Sequence, residues 1–132
     1  MSYVNRLLSR FSEGLFALMR LVVGLLFACH GAQKLFGVLG GHQVVLMSQS
    51  GLAGVIEFFG GLCIAVGLIT SIAAFIASGE MAWAYFQAHA PRSPWPIVNQ
   101  GELAVVYCFL FLYIASRGAG PYSLDRLLGR KL

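Results

Sequence analysis

The sequence has 132 residues, of which 58% are hydrophobic and only 11% are charged. A soluble domain carries roughly 25% charged residues, which cover its surface in water. The mean hydropathy of +0.78 therefore predicts a single domain that folds in a lipid bilayer. The net charge of +4 does not predict nucleic-acid binding, because the basic residues lie mostly at the two chain ends, beside apolar runs.

Four apolar stretches predict an all-α membrane protein built as a bundle of four transmembrane helices. The predicted spans are residues 15–36, 52–69, 71–88 and 102–116, and a tail follows at 117–132. The first span holds about 22 residues, enough to cross a hydrocarbon core about 30 Å thick. It is longer than the apolar region of a signal peptide, and no small-residue cleavage pattern follows it. We therefore expect it to be retained.

The connections between the spans have their own signals. A tight turn at Thr70-Ser71 is predicted to join the second and third spans into a helical hairpin. Three prolines between Pro91 and Pro96 exclude a helix interior, so a loop is predicted there. Glycines allow helices to approach closely in lipid. The second span contains four of them, at Gly54, Gly60, Gly61 and Gly67.

Positive charges beside the spans predict that both termini lie in the cytoplasm. Six basic residues flank the first and last spans, namely Arg6, Arg10, Arg117, Arg126, Arg130 and Lys131. The two predicted outer loops hold only Arg92. Basic residues favour the cytoplasmic side of a membrane, and an even number of spans agrees with this orientation.

Charged residues also lie within or at the edges of the predicted spans. They are Arg20, Lys34, Glu57, Glu80 and Glu102. A charge at the bilayer centre costs at least about 2.5–3.5 kcal/mol, so these residues are expected to be paired. Their sum, two positive and three negative charges, is one proton short of neutrality. Protonation of His30 or of one glutamate would supply that proton.

The depth of these residues predicts that most of them converge in the outer half of the bundle. On the first helix, His30 and Lys34 lie about 40° apart, and Glu57 lies near the depth of Lys34. The candidate intramembrane polar site comprises Arg20, His30, Lys34, Glu57, Glu80, Gln87, Asn99 and Glu102, with Arg20 apart in the inner half. No catalytic residue can be assigned. Either the charges pair to fix the helix register, or they line a pocket or a proton path.

Neither cysteine nor histidine spacing predicts a redox pair or a metal site. Cys29, Cys63 and Cys108 are far apart and form no CxxC motif, so we expect them to behave as small hydrophobic residues. No HExxH or similar spacing is present, and no metal is predicted. The many aromatic side chains could form an apolar slot for a quinone ring, although no pattern requires it.

Several longer motifs resemble the DoxX family of small four-helix membrane proteins, within the broader DoxX/DoxD-like group. The matching features are RLVVGLLFACHGAQKLFG at 20–37, the glycine-rich second span around Glu57, Glu80 followed by Trp83 and Tyr85, NQGELAVVY at 99–107 and GAGPYSLDRLLG at 118–129. Together they cover nearly the whole chain in the order of the family. The loop at 42–51 departs from the family pattern.

The resemblance implies a multi-pass protein of the plasma membrane, which is the inner membrane in bacteria. It also implies a membrane subunit of a quinone-linked oxidoreductase related to thiol, sulfur or quinone stress. The chain has no nucleotide, flavin or redox-cysteine motif, so an oxidoreductase partner or a bound quinone would have to supply the redox centre. Two alternatives stay open: a small transporter of a polar solute or protons, and a non-catalytic membrane assembly protein.

Overall fold

The computed structural model describes residues 1–130, which form helices and turns and contain no strand. Lys131, one of the flanking charges named above, lies outside the described residues. The helices are α1 (Tyr3–Ser9), α2 (Ser12–Phe36), α3 (Gln49–Val66), α4 (Thr70–Ala84), α5 (Pro96–Asn99), α6 (Glu102–Arg117) and α7 (Leu124–Leu127). A π-helical turn interrupts α3 at Ile56–Gly60, and another extends α4 at Tyr85–His89. The all-helical class is confirmed.

The long helices match the apolar stretches of the sequence. Helix α2 ends at Phe36 and α6 begins at Glu102, as expected. By length and composition, α2 and α3 are each suited to cross a membrane. Large apolar side chains also cover the outside of the bundle, and those of Phe75 and Phe109 are 66% and 67% exposed. An apolar exterior of this extent suits lipid contact better than water.

The hairpin between α3 and α4 turns at a glycine. We expected the turn at Thr70-Ser71, but it lies about three residues earlier. Gly67 has a φ of +74°, and the amides of Gly67 and Leu68 donate to carbonyl oxygens in the last turn of α3. Glycine adopts this left-handed conformation without steric cost, so Gly67 sets the end of α3. Thr70 therefore becomes the first residue of α4.

Glycines bring the backbones of α2 and α3 into direct contact. A β-carbon on Gly61 would lie 2.6 Å from the amide nitrogen of Ala28, and one on Gly31 would lie 2.2 Å from that of Phe58. Real β-carbons do not approach other atoms so closely, so only glycine fits at these two positions. Gly60 faces open space instead. The glycine-rich stretch therefore promotes close packing at some of its positions and not at others.

Aromatic side chains fill the core between α2 and α6. Phe27, Phe111 and Ile114 are fully buried. The rings of Phe27, Tyr107 and Phe111 pack against one another with centroid separations of 4.7 to 5.4 Å. This cluster fixes the position of Tyr107 on the inner face of α6.

The C-terminal tail folds back against α2 and the α3–α4 turn. Arg20 is buried in α2 and donates hydrogen bonds to the carbonyl oxygens of Ala119 and Tyr122, the latter at 2.8 Å. Asp125 is buried in α7 and accepts hydrogen bonds from the amide and the hydroxyl of Thr70, both at 2.9 Å. Arg20 therefore ties α2 to the tail, and Asp125 caps the start of α4.

Candidate functional site

An ion pair between α2 and α3 forms the centre of the candidate site. Lys34 Nζ lies 2.6 Å from Glu57 Oε1, and the Glu57 side chain is only 3% exposed. Glu57 lies in the π-helical turn of α3, a feature often found at functional sites. A β-carbon on Gly54 would lie 3.0 Å from that of Lys34, so the glycine leaves room for the lysine. Glu57 Oε2 is buried and has no hydrogen-bond partner among residues 1–130.

The ion pair borders a cavity of about 330 Å³ between α2, α4 and α6, which we call the ion-pair cavity. Its volume lies near the lower end of the range for small-molecule pockets, about 300–1,000 Å³. The polar side chains that line it are those of His30, Lys34, Glu57, His89, Gln100 and Tyr107. Apolar residues, including Phe27 and Leu103, form the other walls. This combination suits a ligand with an apolar body and a few hydrogen-bonding atoms.

The proline loop positions His89 at the cavity. The side chain of Asn99 is buried and donates to the Tyr85 hydroxyl at 3.1 Å and to the Ser93 carbonyl at 2.9 Å, while its oxygen accepts from the Gly101 amide. The backbone carbonyl oxygen of Asn99 lies 3.0 Å from His89 Nδ1. This contact requires a proton on Nδ1, which in a neutral ring leaves Nε2 as a hydrogen-bond acceptor. Asn99 is therefore a positioning residue.

Tyr107 contributes a phenol group to the wall of the cavity. Its ring stacks on Phe111 with an interplanar angle of 10°, and the ring of His30 meets it edge-on with a centroid separation of 6.3 Å. The residue is only 5% exposed. The packing holds the Tyr107 ring in one orientation, so its hydroxyl is a fixed hydrogen-bonding group in the site.

Glu80 lies in a separate groove. This groove has a volume of about 360 Å³ and is lined by Gln49, Ile56 and Trp83 among others. Ile56 and Glu57 are neighbours in the π-helical turn, and one lines the groove while the other lines the ion-pair cavity. Glu80 Oε2 is buried without a hydrogen-bond partner in the described part of the chain. The two carboxylates therefore border two different spaces on either side of one turn.

Three residues of the sequence-based candidate site lie outside this arrangement. Arg20 is bonded to the tail, and Gln87 and Glu102 are exposed. The π-helical extension of α4 accounts for the position of Gln87, because it breaks the regular spacing of 100° per residue. Glu102 is the first residue of α6, where the positive end of the helix dipole stabilises its negative charge. The structure does not bring Gln87 or Glu102 into the cavity.

Sequence reasoning missed several residues that the structure places at or near polar sites. His89, Gln100 and Tyr107 line the ion-pair cavity, and Asp125 caps α4. Gln100 and Tyr107 lie within the motif NQGELAVVY, and Asp125 lies within GAGPYSLDRLLG. The two motifs therefore contain three of these four residues, although no residue spacing identified them as site residues.

The cysteines and the other potential metal ligands show no further site in the described residues. Cys29, Cys63 and Cys108 are free thiols. Within residues 1–130, no group of three His, Cys, Asp or Glu side chains is arranged to hold a metal ion.

Comparison with known proteins identifies the family. The model of the DoxX family matches residues 15–90, more than half of the chain. The chain belongs to the DoxX family. Its relatives include an uncharacterized protein of Haemophilus influenzae, 39% identical over 131 residues, which cover 94% of this chain and 98% of that protein. The inner membrane protein YqjF of Escherichia coli is 31% identical over 121 residues, covering 85% of this chain and 90% of that protein.

The DoxX match extends over the residues of the ion pair. It includes Lys34, Glu57 and Glu80 and ends before Asn99. No solved structure matches the chain. Together with the apolar exterior of the bundle, membership of DoxX establishes a membrane protein.

Proposed function

We propose that this DoxX protein is a single multi-pass domain of the bacterial inner membrane, crossed by α2, α3, α4 and α6. Five arginines flank the first and last of these helices, at Arg6, Arg10, Arg117, Arg126 and Arg130. They support a cytoplasmic location of both termini. The name of the E. coli relative supports the inner membrane. In intact cells, an impermeant maleimide should label Met47→Cys and not Ser2→Cys, in a background without the native cysteines.

Within that topology, the protein acts as the quinone-site membrane subunit of an oxidoreductase. The observation that carries this proposal is the ion-pair cavity, because ionisable groups inside a membrane domain mark functional sites. A quinone has an apolar ring and two carbonyl oxygens that need hydrogen-bond donors. The cavity offers donors from Lys34, His30 and Tyr107, and its apolar wall includes Phe27. The hydrogen-bond donors and the apolar wall therefore suit a quinone ring.

A bound quinone would supply two-electron chemistry, in which two electrons and two protons convert the quinone into the quinol. The chain has no redox motif of its own, so the electrons come from a partner oxidoreductase subunit with a redox centre. The residues of this chain bind the ring and handle protons. Lys34 and Tyr107 donate hydrogen bonds. Glu57 Oε2, which has no partner within residues 1–130, is the atom that can take up a proton.

Quinone binding to the full-length protein in lipid nanodiscs tests the proposal. Menadione and ubiquinone-1 are suitable probes, with binding followed by isothermal titration calorimetry. We expect Tyr107→Phe to weaken binding about 2- to 12-fold, because the loss of one hydrogen bond costs about 0.5–1.5 kcal/mol. Tyr113→Phe is the matched control, since Tyr113 lies on the same helix and is 55% exposed.

The outcomes separate the proposal from its alternatives. Absence of binding of both quinones to protein with a normal melting temperature would overturn it, and so would equal effects of the two tyrosine variants. A transporter would be indicated instead if the wild type binds no quinone but conducts protons into liposomes, and if Glu80→Gln abolishes that flux. Lower cellular abundance of the Glu57→Gln protein, without quinone binding by the wild type, would indicate an assembly protein.

A further inference from the structure

An apolar groove lies on the outside of the bundle between α4 and α6. Its volume is about 690 Å³, and its walls include Ile72, Phe75, Phe109 and Leu112. The side chains of Phe75 and Phe109 are largely exposed on its rim. A groove of this kind on the apolar exterior suits a linear hydrocarbon chain, which gains contact area along its whole length.

The groove ends at a polar pocket beside the C-terminal tail. This pocket has a volume of about 530 Å³, and its lining includes the side chains of Arg117, Arg126 and Arg130. Ser71 and Ser116 line both the apolar groove and the polar pocket, so the two spaces adjoin. A hydrocarbon chain in the groove would therefore place a group attached to its end in the pocket.

The charges in the pocket favour an anion. Arg117 is already paired with Glu13 at 2.6 Å. The carboxylate of Asp125 also lines the pocket but is engaged in capping α4. No acidic side chain among residues 1–130 forms an ion pair with Arg126 or Arg130, although the charge of Arg130 acts on the Asp125 carboxylate. Guanidinium groups bind phosphate through paired hydrogen bonds, and basic pockets between membrane helices suit anionic headgroups.

We propose that the groove and the pocket together form a binding site for one anionic phospholipid. An acyl chain lies along α4 and α6, and the headgroup phosphate contacts Arg126 and Arg130. The site is on the side of the bundle that carries the tail, and it shares no lining residue with the ion-pair cavity. The proposal therefore depends on insertion in a bilayer and not on quinone chemistry.

Native mass spectrometry of the full-length protein in a mild detergent tests the site. The probes are palmitoyl-oleoyl phosphatidylglycerol, the corresponding phosphatidylcholine, and inorganic phosphate. We expect phosphatidylglycerol to bind in a one-to-one complex and phosphatidylcholine to bind at least tenfold more weakly. The double variant Arg126→Gln/Arg130→Gln should lose on the order of tenfold or more in phosphatidylglycerol affinity. Arg6→Gln/Arg10→Gln, with the same change in net charge, should bind as the wild type does.

A second pair of variants tests the groove without changing charge. Ser116→Trp should block the passage between groove and pocket and lower phosphatidylglycerol affinity at least fivefold. Val106→Trp, at a residue of the same helix that is 58% exposed and lines neither space, should leave it unchanged. Equal losses for the two double arginine variants would indicate general surface attraction and overturn the proposal. Phosphate binding that competes with the lipid and is insensitive to Ser116→Trp would show a free-anion site instead.

Discussion

Replacing Asp125 with alanine tests whether the tail stabilises the helix bundle. The Asp125 carboxylate accepts three hydrogen bonds, from the amides of Ile69 at 2.8 Å and Thr70 at 2.9 Å and from the Thr70 hydroxyl at 2.9 Å. Hydrogen bonds to charged groups contribute about 1.5–3 kcal/mol each, but bonds that share one carboxylate are not additive. Loss of an N-cap alone costs about 0.5–2 kcal/mol. We expect Asp125→Ala to lower the free energy of unfolding by about 3 kcal/mol.

Asp125 also predicts how stability changes with pH. Burial acts to raise the pKa of Asp125, but hydrogen bonds from Thr70 and Ile69 and the charge of Arg130 outweigh it, and the pKa is lowered. A carboxyl with a lowered folded-state pKa stabilises the fold above its unfolded pKa, about 3.9. This contribution is lost as the pH falls through the folded-state pKa. The stability difference between wild type and Asp125→Asn should be constant at neutral pH and shrink below about pH 4.

Unfolding in mixtures of mild detergent and dodecyl sulfate, followed by far-ultraviolet circular dichroism, measures both effects. Glu102→Ala is the control, because Glu102 is an exposed carboxylate in the first turn of α6 and should contribute about 1 kcal/mol or less. The reasoning fails if Asp125→Ala unfolds within about 0.5 kcal/mol of wild type, the range of ordinary surface substitutions. It also fails if the difference between wild type and Asp125→Asn grows on acidification.

The helix contacts give two further predictions. Gly61→Ala should destabilise the protein by about 1–3 kcal/mol, since its β-carbon would meet the backbone of α2, whereas Gly60→Ala faces open space and should be neutral or stabilising. Equal melting temperatures of the two variants would contradict the packing. Lys34→Met leaves Glu57 buried without its ion partner and should cost about 3–5 kcal/mol. The double variant Lys34→Met/Glu57→Leu should recover most of the lost free energy of unfolding. A double variant as unstable as Lys34→Met alone would refute the pairing argument.

The sequence was sufficient to predict the long helices and the similar depth of Lys34 and Glu57, for simple reasons. Apolar length and interrupting glycine and proline residues located the four long helices. Helices joined by one loop run antiparallel, so counting along the first two spans placed Lys34 and Glu57 at a similar depth. The ion pair itself is seen only in the structure. Depth along a helix can be counted from a sequence, so residues that share a depth could be predicted.

Other features of the fold could not be predicted by counting residues along a helix. The π-helical turns at Ile56–Gly60 and Tyr85–His89 insert residues into the helical repeat, and a regular repeat of 100° per residue does not anticipate them. They place Glu57 at the cavity and leave Gln87 exposed. The cap formed by Asp125 on Thr70 joins residues that are 55 positions apart. Only the folded tail shows that these groups meet, because neither residue alone carries a sequence signal for the contact.

The structure shows which charged residues contribute to the charge imbalance that the sequence suggested. Arg20 donates to carbonyl oxygens of the tail, and Glu102 is exposed, so neither belongs to the buried set at the cavity. Lys34 and Glu57 remain at the ion-pair cavity and Glu80 in the adjacent groove, with one positive and two negative charges in total. One proton brings these three groups to neutrality, and the two buried side-chain oxygens without hydrogen-bond partners in residues 1–130 are Glu57 Oε2 and Glu80 Oε2. Of these two carboxylates, only that of Glu57 lines the ion-pair cavity, so Glu57 Oε2 is the atom placed to exchange a proton with the proposed quinone.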